Sequence, residues 1–178
     1  NIRFCFQQHE IDYTPSKWSK RFDDEELLAY FFQFCGKSES HARPIYSPIV
    51  IFIHGGYWQE FSKEFAGFAV PAFVKRGIKV VNVGYDLCPN GKLLSLPSVL
   101  SIFLVLLFPI NTLKRVWITG HSAGAHLAAG LLHDQSWIDR LTKQGSFQLI
   151  KGLLLIAGIY HLEPLRNTSF NEALQLTE

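Results

Sequence analysis

The sequence has no methionine and only three cysteines, Cys5, Cys35 and Cys88, widely spaced and never in a C-x-x-C pair. That spacing fits neither a disulfide framework nor a zinc site, so reduced thiols in a cytosolic protein are expected, with no metal. There is no block of like charge: 17 lysines and arginines stand against 15 acids, a formal net charge of +2. A phosphate-tracking stripe and an acidic tail are both excluded, and nucleic acid is not an expected partner. No basic-then-apolar leader opens the chain, which begins on Asn1. With the missing methionine, this leads to the expectation of a fragment of a longer protein. Repeats and low-complexity tracts are absent, and no flexible interdomain linker stands out.

What is present is apolar. Across 178 residues, 48% are hydrophobic and 14% aromatic, enough for one core and too few for two. Residues 1–178 therefore read as a single α/β domain, with an arm and helix over 1–45 and a sheet core over 46–178. Asn1 to Arg21 reads as an irregular arm. Asp23 or Asp24 can cap a helix running through Phe34, with Gly36 as its stop. After a loop from Gly36 to Pro48, Ile49-Val50-Ile51-Phe52-Ile53 is a continuous apolar run of the kind a fully buried parallel strand shows. Further strands are expected at Ile78–Val83, Arg115–Thr119 and Leu153–Ala157, with helices at Phe65–Arg76 and Ser122–His133. The stretch from Leu93 to Phe108 has no settled assignment. Strand, helix, strand at this spacing implies a mainly parallel sheet with helices on both faces.

Gly120-His121-Ser122-Ala123-Gly124 has the form Gly-x-Ser-x-Gly. A strand leads in through Val116-Trp117-Ile118-Thr119, and helix formers from Ala125 to Leu132 lead out. So sharp a turn strains the serine backbone, and Gly120 and Gly124 remove side chains that would collide. Ser122 is the expected nucleophile, with the Ala123 N–H and the positive end of the following helix placed to stabilise an oxyanion. An ordinary Gly-Ser turn in a βα unit is the plain alternative.

His54-Gly55-Gly56-Tyr57-Trp58 follows the first buried run. Gly55 and Gly56 let the backbone approach a substrate oxygen closely, so the N–H groups of Gly56 and Tyr57 can join that of Ala123. Such donors each contribute on the order of 2.7–4 kcal/mol to transition-state stabilisation. Both motifs end parallel strands and so fall on one edge of the sheet, where open α/β folds bind ligands. Tyr57 and Trp58 can line a pocket for a flat substrate or simply pack over the loop.

The elbow extended through Ala125-His126-Leu127-Ala128-Ala129, with His54-Gly55-Gly56-Tyr57-Trp58-Gln59, resembles the arylformamidases, or kynurenine formamidases. Asp12-Tyr13-Thr14-Pro15-Ser16-Lys17-Trp18-Ser19, Gly84-Tyr85-Asp86-Leu87-Cys88-Pro89 and Leu162-Glu163-Pro164-Leu165 agree with it. The resemblance implies an α/β-hydrolase fold and hydrolysis of N-formyl-L-kynurenine to L-kynurenine and formate in cytosolic tryptophan breakdown. It implies a small aromatic formamide as substrate, a Ser122 nucleophile assisted by a histidine, and no metal or organic cofactor. The oligomeric state is open, a homodimer included.

Against that family's pattern, Gly36 to Pro48 is short for early antiparallel strands. Leu93 to Ile110 is almost wholly apolar and interrupted by Pro97 and Pro109, where the family has an amphipathic crossover helix. Residues 91–113 thus read as a buried crossover or an altered segment, with membrane insertion weighed and set aside because it would put the two motifs on opposite sides of a bilayer. The family's acid and histidine lie on loops after later strands, so the expectation is that they fall past Glu178, with C-terminal strands missing. Within the chain, His126 and His133 read as packing and exposed residues, His161 as a loop histidine, and His54 and His121 as motif residues. Asp86 and Glu163 can shape a pocket or simply form turns. A general carboxylesterase and a catalytically inactive ligand-binding protein of the same fold are the competing readings.

Overall fold

In the computed structural model, residues 48–68, 70–89 and 115–176 are described, together with the backbone of Phe32–Cys35. Five strands, β1 (Phe32–Cys35), β2 (Ile49–Ile53), β3 (Lys79–Val83), β4 (Val116–His121) and β5 (Ile150–Ile156), form one sheet in the order β1-β3-β2-β4-β5. β2, β3, β4 and β5 run parallel, and β1 pairs antiparallel with β3. The architecture is α/β with a mainly parallel sheet, an α/β-hydrolase core.

The middle of the sheet follows directly from the sequence. All five residues of β2 are buried, as a strand covered on both faces requires. Ile51 stands opposite Val81 of β3 on one side and Ile118 of β4 on the other. Alternate side chains then feed two cores. Ile49, Ile51 and Ile53 join Val81, Val83, Val116 and Ile118 on one face. Phe52 and Val80 face the other way, against Ala66, Val70 and Val74.

Each core is closed by a different connection. Between β2 and β3 run a 3-10 helix (Lys63–Phe68) and α1 (Val70–Lys75), which supply the second cluster. Between β4 and β5 run α2 (Ala123–Gly130), a 3-10 turn (Leu131–His133) and α3 (Gln135–Lys143). From that stretch Leu127, Ala128, Leu131, Trp137 and Leu141 complete the first cluster. Helices therefore cover both faces. The chain leaves β2 toward one edge of the sheet and β4 toward the other, so the carboxyl ends of these two neighbouring strands flank the point where the winding reverses. A crevice opens at such a point in α/β sheets.

Several elements differ from expectation. The predicted helix through Phe34 fails at its end, because Phe32–Cys35 is a strand. Phe-Gln-Phe-Cys alternates with period two, and pairing Phe32 with Val83 and Cys35 with Val80 gives β3 a ladder partner that a helix could not provide. An antiparallel strand thus stands at Phe32–Cys35, before the Gly36 to Pro48 stretch judged too short to hold one. The single helix predicted over Phe65–Arg76 is two elements. Pro71 has no N–H for an interior helical bond, so it sits in the first turn of α1. β5 begins at Ile150, three residues earlier than predicted, and Lys151 is its extra residue where the register with β4 shifts, Val116 facing Ile150 and Trp117 facing Gly152. α3 was not foreseen; the Asp134 side chain caps it, accepting the Trp137 N–H at 2.9 Å. The expected arm over Asn1 to Arg21, the earlier part of the Asp23/Asp24 helix, the expected loop from Gly36 through Ser47 and the apolar stretch from Leu93 to Ile110 lie outside the described residues. Among the described residues no helix is long and apolar enough to cross a membrane.

Candidate active site

Ser122 sits between the end of β4 and the start of α2 with φ 54° and ψ −119°. A non-glycine residue in that region carries a strain of about 1–3 kcal/mol and persists only where its surroundings hold it. They do so here. The Ser122 N–H donates to Ile156 O at 2.8 Å, and its carbonyl accepts from Ala125 and His126 at 3.0 and 3.2 Å. A Cβ on Gly120 would collide with the Gly124 carbonyl, so the turn can close only without one. Gly124 in turn lies directly against the carbonyls of Ile53 and His54, at the end of β2.

This last contact joins the two motifs. A Cβ placed on Gly55 would stand 3.1 Å from Ser122 Cβ and 2.9 Å from His121 O. The loop after β2 therefore lies against the serine. Its backbone is unusual: Gly56 has φ 107°, and Tyr57, Trp58 and Phe61 have φ of 49°, 60° and 70°. Gly56 O accepts from both Gln59 N and Glu60 N at 2.9 Å, which curls the loop tightly.

Tyr85, just past β3, fixes how that loop faces. Its hydroxyl donates to His54 O at 3.0 Å and reaches Gly55 O at 3.3 Å, and its ring stacks on His54 at 4.4 Å. Burial pushes the Tyr85 phenol up, so the hydroxyl keeps its proton and remains a donor. In a trans peptide the C=O and the N–H point to opposite sides. With the carbonyls of His54 and Gly55 turned to Tyr85, the N–H groups of Gly55 and Gly56 face away from it. Among the described residues, no backbone hydrogen bond is donated by Gly56, Tyr57 or Ala123.

The His54 ring is buried and bonds Gly55 O through Nδ1 at 2.8 Å, which puts the ring proton on that nitrogen. Desolvation holds its pKa below the usual histidine value. His54 is thus a neutral brace of the loop. Trp58 lies in the core at 1% exposure, its ring edge-on to His126 at 5.2 Å, and its carbonyl accepts from Cys88 N at 2.8 Å. Of the two aromatics predicted to line a pocket, Tyr57 alone stays open, at 36% exposure, stacked on Phe170 at 4.1 Å.

The remaining titratable groups are dispersed. His126 is half-buried on α2 with Nδ1 unpartnered, and desolvation holds its pKa below the usual value. His121 is exposed, its ring edge-on to Phe68 at 6.5 Å. His133 is exposed at the end of a 3-10 turn. His161 is exposed and pairs with Glu163 at 3.5 Å. Asp139 accepts from Gln135 at 2.8 Å, and Asp86 is half-buried after β3. Among the described residues no imidazole or carboxylate hydrogen-bonds the Ser122 hydroxyl, and no cluster of three metal-ligating side chains occurs.

No protein-family model matches the chain. A kynurenine formamidase of Danio rerio is 32% identical over 197 residues, covering 95% of this chain and 66% of that protein. One of Drosophila melanogaster is 31% identical over 191 residues, covering 88% of this chain and 62% of that protein. The chain thus spans about two thirds of the length of these relatives. Among solved structures, a fungal esterase of Rhizomucor miehei superposes with a TM-score of 0.55 at 22% identity, over 74% of this chain and 41% of that one.

Proposed function

We propose that this chain, homologous to the kynurenine-formamidase and esterase-type α/β-hydrolases, carries the nucleophile and oxyanion hole of a serine hydrolase. Its substrate in this reading is a small aromatic formamide, N-formyl-L-kynurenine. The observation that carries the proposal is the meeting of two strained loops at neighbouring strand ends. Gly55 lies against a Ser122 held at φ 54°, and among the described residues Gly56, Tyr57 and Ala123 donate no backbone hydrogen bond.

The Ser122 Oγ attacks the formyl carbonyl, whose oxygen becomes the oxyanion and takes the N–H donors of Gly56, Tyr57 and Ala123. The hydroxyl proton passes to a histidine, which returns it to the departing aryl amine. Water then releases formate from the acyl-serine. We assign the base to none of the described histidines. His54 braces the loop and His126 packs on Trp58, while His161 is engaged with Glu163. Sequence identity to the zebrafish and fly formamidases across most of the chain supports the formamide over a simple ester.

Parallel turnover of N-formyl-L-kynurenine and a short p-nitrophenyl ester by the full-length protein tests the substrate. Faster kcat/KM on the formamide is expected. Cleavage of the ester alone identifies a carboxylesterase and overturns the formamide assignment.

A further inference from the structure

We propose that Phe170 is a positioning residue for the oxyanion loop, clamping it through the Tyr57 side chain; the catalytic half of this inference rests on the function proposed above. Tyr57 bears one of the proposed oxyanion donors on its own nitrogen and holds φ at 49°, a conformation that a tyrosine does not keep unaided. Tyr85 and Cys88 brace the carbonyls on either side of it, at His54, Gly55 and Trp58. Those bonds go to backbone carbonyls; the Tyr57 side chain has contacts of its own. That side chain lies flat on Phe170, with ring centres 4.1 Å apart and planes 7° from parallel.

A second tie runs between the same two segments. Gln59 Nε2 donates to Phe170 O at 2.8 Å, across 111 positions of sequence. The loop is thus gripped at two points, ring on ring and amide on carbonyl, by one residue. Phe170 is itself well fixed. The Asn171 N–H donates to Thr168 O at 3.0 Å, Asn171 Oδ1 accepts from Leu176 N at 2.6 Å, and Leu174 is buried in the main core. The anchor is rooted in the core and the grip is at the surface, which is the arrangement a clamp needs.

A wall that only contacts substrate and a clamp that orients donors differ in kinetics. Loss of substrate contact raises KM, whereas a displaced oxyanion donor lowers kcat because it acts mainly in the transition state. Phe170→Ala, Phe170→Tyr and Gln59→Ala in the full-length protein separate the two, with amide hydrogen exchange over residues 56–61 as a readout independent of catalysis. For Phe170→Ala we expect exchange there to quicken roughly tenfold while the central strands stay protected. We expect kcat to fall roughly tenfold with KM changed less than about twofold. Phe170→Tyr, which keeps the stack, should restore both, and Gln59→Ala should reproduce the loss in part. Unchanged exchange in Phe170→Ala overturns the clamp, as does a rise in KM at constant kcat. Quickened exchange in a protein whose unaltered form cleaves neither substrate leaves the clamp standing and overturns the hydrolase reading instead.

Discussion

At Ser122 and at Gly55 the chain accepts local cost for position. The serine stands in a backbone region that few non-glycine residues enter, and the glycines around it are the residues that let two loops touch. Such requirements are local, and both motifs were therefore legible in the sequence. Tyr85 and Phe170 were not. Tyr85 lay within a stretch noted only for its resemblance, and its partners are about 30 residues away; Phe170 meets its partner across more than a hundred. The one available signal was that Gly84-Tyr85 also ends a parallel strand, and so shares the sheet edge with both motifs. Tyr85→Phe tests its role. Loss of the hydroxyl leaves the carbonyls of His54 and Gly55 without that donor, and should cost about 1–3 kcal/mol of stability. A fall in kcat of about tenfold should accompany it, since the peptides that aim the donors lose their brace. A thermal melt and steady-state kinetics read the two effects; a variant that melts earlier at unchanged kcat shows a purely structural tyrosine.

At the level of elements, what could be read depended on how much of each signal was local. β2 is apolar at all five positions and buried at all five, so its run left little room for error. β1 was taken for the end of a helix because Phe31, Phe32 and Phe34 fit either period, and its pairing with β3 is long-range. α3 was missed because its apolar face is small: Trp137 and Leu141 are buried and Ile138 is partly buried against the core. Its cap was in plain view. Hydrogen bonds from Ser136 and from the Trp137 N–H hold the Asp134 carboxyl below its usual pKa. A carboxylate depressed by folding stabilises above its unfolded value, about 3.9, and that contribution is lost as pH falls through the lower folded value. Asp134→Ala should therefore lower the Tm at pH 7, and the gap from the unaltered protein should narrow steadily below about pH 4. Melts at pH 7 and pH 3 check this. A gap that stays constant would mean that the carboxylate charge has no part in the cap.

Across the whole molecule, the sheet order decides where chemistry is feasible. β2 and β4 are neighbours whose connections leave on opposite faces, and the two glycine-rich loops end those two strands. The alternation of strands and helices foretold the mainly parallel sheet and the common edge. The order of the strands, and hence the direct contact of Gly55 and Gly124 with the other loop, came only from tertiary packing. In the function proposed above, this convergence makes Ser122 a nucleophile. The most direct measurement is labelling of the full-length protein with a fluorophosphonate, followed by peptide mapping. A single adduct on the peptide containing Ser122, absent in Ser122→Ala, is the predicted result; no adduct, or one on a different serine, contradicts the claim.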